Sequence, residues 1–574
     1  MPLFPFIGLI AIFLTFSAGD ASAARARDNL PTDALNPLEL PAYNATVQRV
    51  QRALSQAGYF RGALDGLFNA KIEQAIRTYQ RREGLPQTGI ANKELAVHIE
   101  TSAKVQSLLK QLQRQRLSKI DEARAALLAN PETRDLVSDP EQPTIRAKAD
   151  RDASGCMSNP TPECLLYEAS QSAIAIFKTE LRDWALGEIL VAEAKAGLVN
   201  EAMNTVRMIG DPRLIMVALR DIATAQASAG RPVEALAAAE IIPDHLKRLE
   251  ALAAIATIQA SRGNFEGAAT TAHLLLDGVE QINDRLKWYS LTTSAVTALA
   301  RAGKTDIAEK ELAKIRGAAE AEENATHRSA ALRLLAGALA ESGKPELALA
   351  ILKDLPDVSE RIPVLVSAAT AQAKAGHADQ AISTASSIEA VRYRAVVLSR
   401  IALAQAKTED GPGGRKTLDA ALAAAATIKR PYAKAYAFER IALTLMEIAA
   451  FVDDDSFNLA IDTAALISDG KLRAQTLWAL ATRRADAGDA QGVTKITALA
   501  ENATGEIISP FTKVWMFSEI AQAHLSADRE PAAWVAFQRA LGIAQDISDP
   551  WGRARAMARL ASTLSELTEY VKKQ

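Results

Sequence analysis

Glycine followed five residues later by alanine recurs along most of this chain, and that recurrence limits its fold more than any other feature. Gly197, Gly230, Gly263, Gly303, Gly343 and Gly376 stand 33, 33, 40, 40 and 33 residues apart, and Ala202, Ala235, Ala268, Ala308, Ala348 and Ala381 follow them. A typical copy reads ALRDIATAQASAGRPVEALAAAEIIPD (218–244). An amphipathic helix runs into a glycine turn, and a second helix begins near the alanine. Glycine at the end of the first helix supplies a left-handed cap. The small residue lets two helix backbones cross closely. One such pair cannot bury its own apolar face, so pairs must stack. Weaker copies near Gly411, Phe451, Gly488 and Glu530, and a final helix beginning at Met557, extend the array. Residues 165–570 are therefore predicted to form an all-α solenoid of ten or more helix pairs. An aromatic content of only 5% suits closely packed helices better than a β-sandwich.

The N-terminal segment and the cysteine pair both point to export. Pro5 to Ala18 is one apolar run of signal-peptide length, followed by Ala21-Ser22-Ala23, a small-residue cleavage pattern. The run is short for a membrane span. Export with cleavage after Ala23 is expected, although no Lys or Arg precedes the run. Cys156 and Cys164 are the only two cysteines, in the Pro-rich stretch CMSNPTPEC. An exported chain with one closely spaced pair most simply forms a disulfide.

Residues 43–100 read as a compact unit of three short helices. Val47, Val50, Gln51 and Leu54 mark the first, which Gly58 ends; Ile72, Ala75, Ile76 and Tyr79 mark the second, which Gly84-Leu85-Pro86 breaks; Leu95 lies in the third. The spaced signals Val50-Gln51-x-x-Leu54, Gly58-Tyr59, Gly62-x-x-Asp65-Gly66-x-Phe68, Ala75-Ile76-x-x-Tyr79-Gln80 and Gly84-Leu85 resemble the bacterial peptidoglycan-binding domain. The resemblance covers residues 47–99 and implies a non-catalytic wall anchor. Two positions depart from it. Asn69 stands where the family usually has glycine, and is expected to tolerate the same positive φ. Ile72 stands where the family often has threonine. The expected ligand contacts are Tyr59, Phe60, Arg61, Asp65 and Phe68, with Asp65 also suited to bracing its loop.

Residues 101–129 contain neither Gly nor Pro and read as a connector helix, either a spacer or a short pairing helix. Residues 130–164 hold five prolines and read as a linker carrying the cysteine pair. The Gly-x-x-x-x-Ala phase of the array resembles the tetratricopeptide repeat, in divergent form, which implies a right-handed solenoid. In that phase Arg220, Thr224, Thr257, Thr297, Arg333 and Thr370 fall on the inner groove, while Ala194, Ala227, Ala260, Ala300, Ala340 and Ala373 hold its last position. Only two of the groove residues are basic, which disfavours a clamp for acidic peptide tails and favours a narrow, mostly neutral groove for a protein partner. Five tryptophans, Trp288, Trp478, Trp515, Trp534 and Trp551, are assigned to packing within the array, and three Asn-Ala-Thr sequons at Asn44, Asn324 and Asn502 to coincidence.

Sixty-six Lys plus Arg against 68 Asp plus Glu give a net charge of −2, unlike a general nucleic-acid binder. The six histidines are scattered, and no metal-ligand spacing, nucleophile motif or phosphate loop occurs. No cofactor and no catalytic residue are expected. Together these features predict a non-enzymatic scaffold of the periplasm or cell envelope. It would bind peptidoglycan through the small module and an envelope protein through the groove, with no membrane contact beyond export. The alternatives are a wall hydrolase or lytic enzyme built on a helical superhelix, and a free periplasmic adaptor whose module no longer binds.

Overall fold

A computed structural model describes residues 43–573 apart from 138–146, 409 and 450–453. The expected export signal and Phe451, at the turn of one weaker repeat, lie outside the described residues. The described residues form helices and no strand. The chain divides into two units, residues 1–115 and 116–574.

In the first unit, α1 (Ala45–Gln56), α2 (Ala70–Arg82) and the start of α3 (Lys93–Ala129) enclose a small core of Val50, Leu54, Phe60, Ile72, Ile76, Tyr79, Leu95 and Ile99. Both helix starts are capped by asparagine. Asn44 Oδ1 accepts from Thr46 N and Val47 N, and Asn69 Oδ1 from Lys71 N and Ile72 N. Asn69 has φ −146°, so the expected positive φ is not what this position requires. It is kept as a cap, a role glycine performs nearly as well. The third helix of the module and the connector are one unbroken helix of 37 residues.

The second unit continues with α4 (Ser154–Ser158) and α5 (Pro162–Ile174). The array then runs α6 (Thr179–Lys195), α7 (Val199–Arg207), α8 (Pro212–Ser228), α9 (Pro232–Glu240), α10 (His245–Ser261) and α11 (Phe265–Val279). Next come α12 (Arg285–Arg301), α13 (Thr305–Glu320), α14 (Ala325–Glu341), α15 (Pro345–Ala350), α16 (Val358–Lys374) and α17 (Ala378–Ser386). It ends with α18 (Val391–Lys407), α19 (Gly411–Ala426), α20 (Pro431–Ala449), α21 (Asp454–Ala465), α22 (Gly470–Asp486), α23 (Ala490–Gly505), α24 (Pro510–Leu525), α25 (Glu530–Ala544) and α26 (Pro550–Lys573). Met557 lies inside α26 rather than at its start.

Even-numbered helices from α6 to α26 touch one another in unbroken succession, whereas the odd-numbered ones pack on even-numbered neighbours. The even set therefore forms the inner layer and the odd set the outer one. The repeat glycines do the work expected of them. Gly197, Gly230, Gly263, Gly303, Gly343 and Gly376 have φ between 74° and 82°. The backbone N–H after each returns to the carbonyl five residues back, as in Leu198 N to Glu193 O at 2.9 Å. All six following alanines are buried at the helix crossings.

The array closes on itself, which the sequence pattern did not announce. The last inner helix, α26, packs against the first, α6, and its outer partner is α5 from the opposite end of the unit. One core accordingly joins residues 127–255 to residues 365–567. The stretch expected to be a linker is, where described, part of this core. Leu136, Cys156 and Met157 are buried in it, and Pro162 stands in the first turn of α5, where its missing N–H costs nothing. Cys156 and Cys164 are joined, with Cα atoms 5.9 Å apart, and so tie α4 to α5.

Candidate functional site

Two glutamines organise the small module. Gln51, fully buried on α1, donates from Nε2 to Asp65 Oδ1 (3.0 Å) and Leu67 O (3.1 Å), and accepts from Gly66 N (2.8 Å). Gln80 on α2 repeats the arrangement, donating to Thr88 Oγ1 and accepting from Gly89 N, both at 2.9 Å. Each glutamine pins a loop whose glycine has positive φ, Gly66 at 75° and Gly89 at 70°. A side chain at Gly66 would also collide with the Tyr43 ring, 2.6 Å from an added Cβ. The sequence reading placed both glutamines on helix faces and missed this role. The signal available was a buried amide one helix away from each Gly loop.

The five expected contact residues do not converge. Phe60 is buried in the core with its ring against Gly62, which gives it a structural part. Asp65 is exposed but occupied. The Leu67 N–H, and then the Gln51 amide, hold its carboxyl below the ordinary aspartate range. Tyr59 is half-buried, edge-on to Tyr79 at 5.2 Å and beneath the Arg82 guanidinium at 5.8 Å. Tyr79 itself bonds His98 Nδ1 at 2.9 Å, and burial raises its phenol pKa. Arg61 and Phe68 are exposed. Ile72, in place of the family threonine, is fully buried. Around the Asp65–Gly66 loop lies an exposed apolar patch of Tyr43, Leu64 and Phe68. Gln48 braces it, accepting from Tyr43 Oη (3.1 Å) and donating to Leu64 O (2.8 Å).

In the array, Arg220, Thr224, Thr257, Thr297, Arg333 and Thr370 all lie on inner-layer helices. The threonine hydroxyls are already used. Thr257, Thr297 and Thr370 donate to the carbonyl one turn back, at 2.8, 2.9 and 2.7 Å, and Thr224 to Asp221 O at 3.0 Å. They offer methyl groups and acceptor lone pairs, not spare donors. Arg220 pairs with Asp221 at 2.8 Å. The Asp221 carboxyl is nevertheless pushed up by desolvation, although a third of its side chain is exposed (34%). Burial likewise raises Glu439 and lowers Lys195 and Arg559 on other inner helices. These four charged groups are only partly exposed, and the protein around them disfavours their charged forms. Arg333 Nε is buried with no hydrogen-bond partner among the described residues.

The inner wall also carries an aromatic and arginine cluster where the array closes. Arg555 makes a two-point ion pair with Glu188 (2.7 and 2.8 Å), and its guanidinium lies 4.3 Å from the Phe511 ring centre, 4.4 Å from Trp551 and 5.3 Å from Trp184. Trp184, an inner-groove position in the tetratricopeptide phase, is 55% exposed. On the outer side, a cavity of about 370 Å³ opens where α15 stops after six residues; Leu352, Ile362, Leu365, Arg361 and Glu389 line it. Among the described residues no group of three or more His, Cys, Asp or Glu is placed to hold a metal ion. No described helix is long and apolar enough to cross a membrane.

Residues 43–98 match the family described as a peptidoglycan binding domain. Curated relatives are similar over a short stretch of the chain. Localization factor PodJL of Caulobacter vibrioides, from strain NA1000 / CB15N and from strain ATCC 19089, is 39% identical over 74 residues, 13% of this chain and 8% of the relative. The chain thus spans under a tenth of the length of the relatives it matches. Among solved structures, Ton1535 from Thermococcus onnurineus NA1 is 18% identical with a TM-score of 0.26, covering 56% of this chain and 98% of that one. A circular tandem repeat protein is 13% identical with a TM-score of 0.16, covering 74% and 88%. At these scores neither structure bears on the argument.

Proposed function

We propose that this protein is a non-enzymatic scaffold of the cell envelope, held on peptidoglycan by residues 43–98 and presenting the closed helical array to a protein partner. The observation that carries the reading is a family match that falls on a folded module with a complete core and two amide-braced loops. The loops cost buried polar groups to hold, and such groups are retained where a surface must keep its shape. The wall contact in this reading is the patch around Asp65–Gly66. Phe68, Leu64 and Tyr43 supply apolar faces, and Arg61 a charge for the carboxylates of the wall peptides. Tyr59 contributes from beside Arg82, and Phe60 and Asp65 act by shaping the loop.

The inner wall suits a neutral protein segment better than an acidic one, because Arg220 and Arg555 are paired and its threonine donors are used. Eleven inner helices spaced by about 9 Å would leave an opening on the order of 20 Å, enough for a helix or an extended chain. An exported protein in the periplasm fits both halves of the reading.

The test is sedimentation of the full chain with insoluble peptidoglycan. Wild type should pellet, and the exposed double variant Arg61→Ala/Phe68→Ala should bind at least about tenfold more weakly, the scale of losing a small hot spot. Failure of wild type to pellet would overturn the anchor and leave a free adaptor.

A further inference from the structure

We propose that the central part of α3 is an interfacial helix that binds the surface of an anionic lipid bilayer. Val105, Leu108, Leu109 and Leu112 recur at the i, i+3, i+4, i+7 spacing of one helix face, and each is half or more exposed. Monomeric proteins rarely display such a stripe without a use for it. Between Thr101 and Ile120 the chain carries Lys104, Lys110, Arg114, Arg116 and Lys119 and no acidic residue, within a protein whose charges otherwise nearly cancel. All five basic side chains are exposed. An apolar stripe within a basic helix is the signature of a segment lying in the headgroup region.

Two features favour a bilayer over a second copy of this chain. The stripe is short. Four half-exposed side chains leave on the order of 350 Å² per helix, so a pair would bury roughly 700 Å², below the ~1,200 Å² of specific interfaces. Two such helices would also bring ten positive charges together, with no acidic residue between Thr101 and Ile120 to offset them. A third feature disfavours a partner protein's helix. By helical spacing, Arg116 and Lys119 continue the face of Val105 and Leu112. A packed helix would have to bury them. At a membrane surface their long stems follow the apolar face while the charges reach lipid phosphates. Lys119 also bonds Glu122 at 2.7 Å, an exposed pair that phosphate can replace cheaply.

Flotation of the full chain with vesicles containing phosphatidylglycerol, beside vesicles of phosphatidylcholine alone, tests this. Binding is expected only to the anionic vesicles, with a fall of tenfold or more in Leu108→Gln/Leu112→Gln and on raising salt. Peptidoglycan pelleting should not change in that variant, which shows that it folds. Flotation driven instead by the apolar N-terminal run would not depend on headgroup charge and would show as equal binding to both vesicle types. Equal binding to both vesicle types, no flotation, or flotation indifferent to the variant would overturn the proposal. So would concentration-dependent dimerisation that the same variant abolishes, which would assign the stripe to a second copy.

Discussion

Residues at one register of the inner helices contribute to how the array responds to pH. Gln226, Gln259, Gln372 and Gln405 are buried there, and three of them accept a threonine hydroxyl from the following helix, at 2.8, 2.8 and 2.7 Å. In α6 the same place holds Glu193, and burial pushes its carboxyl up to about 7, with Thr205 only partly offsetting the shift. The folded state then keeps a proton that the unfolded chain releases near 4.5. Stability falls as pH rises through that window, and the full penalty is present above pH 7. Glu193→Gln should therefore raise stability by roughly 1–3 kcal/mol at pH 8 and leave it nearly unchanged near pH 4.5, read by urea unfolding. In α24 the place holds His524, pushed down to about 4 by burial, with Arg529 adding to the effect. Here the sign reverses. The unfolded chain takes up a proton near 6.5 that the folded state refuses, so stability is lost as pH falls from 6.5 toward 4. His524→Gln should flatten that acid limb; an unchanged slope would show that the loss arises elsewhere.

At the scale of helix and turn, the glycines fall into two kinds that substitution separates. Gly263 caps α10 with φ 79° and has no atom within 4 Å of an added Cβ, so Gly263→Ala is strained by its backbone alone, about 1 kcal/mol. Gly414 stands at the crossing position that alanine fills elsewhere, and a Cβ there would lie 2.7 Å from Ala402 O. Backbone cannot yield as a side-chain tip does, so Gly414→Ala should cost more than Gly263→Ala, about 2–3 kcal/mol by thermal unfolding. This difference marks how far the sequence was legible. The glycine and alanine spacing reported the cap and the crossing directly, because each has one steric requirement that few residues meet. Elsewhere the requirement could be met otherwise. Asp528 takes the cap position of α24 with φ 56°, held by Tyr570 Oη at 3.0 Å, so the copy near Glu530 looked degraded though its geometry is intact. In the small module, Asn69 could not be told apart as cap or turn, since both uses favour the same residue. The bracing amides Gln51 and Gln80 escaped notice because buried amide–loop bonds leave no periodic trace.

For the array as a whole, closure between sequence-distant helices was the least legible feature, because α5 and α26 carry no pattern that names the other as partner. The seam is held by polar contacts as much as by core. Arg553 donates to Ser172 Oγ (3.0 Å) and to the carbonyls of Ala149 (2.7 Å) and Arg151 (3.3 Å), Arg231 pairs with Glu569 (2.9 Å), and Arg555 with Glu188. An open solenoid would leave the apolar face of α26 in water at one end and that of α6 at the other. Setting the first outer helix on the last inner one covers both, and the Cys156–Cys164 bond keeps α4 and α5 together for that purpose. Arg555 is the contact whose loss should be felt most, since its side chain is only 11% exposed and three rings surround it. Arg555→Ala leaves Glu188 without its partner and three rings without their cation, a cost of roughly 2–4 kcal/mol. Because the seam joins the two ends of the array, that cost should appear locally. Amide exchange should quicken in α5, α6 and α26 while α12 and α14, on the far side, stay protected. Uniform quickening around the array would mean that closure and the rest of the fold unfold as one unit, and that the seam is no separate latch.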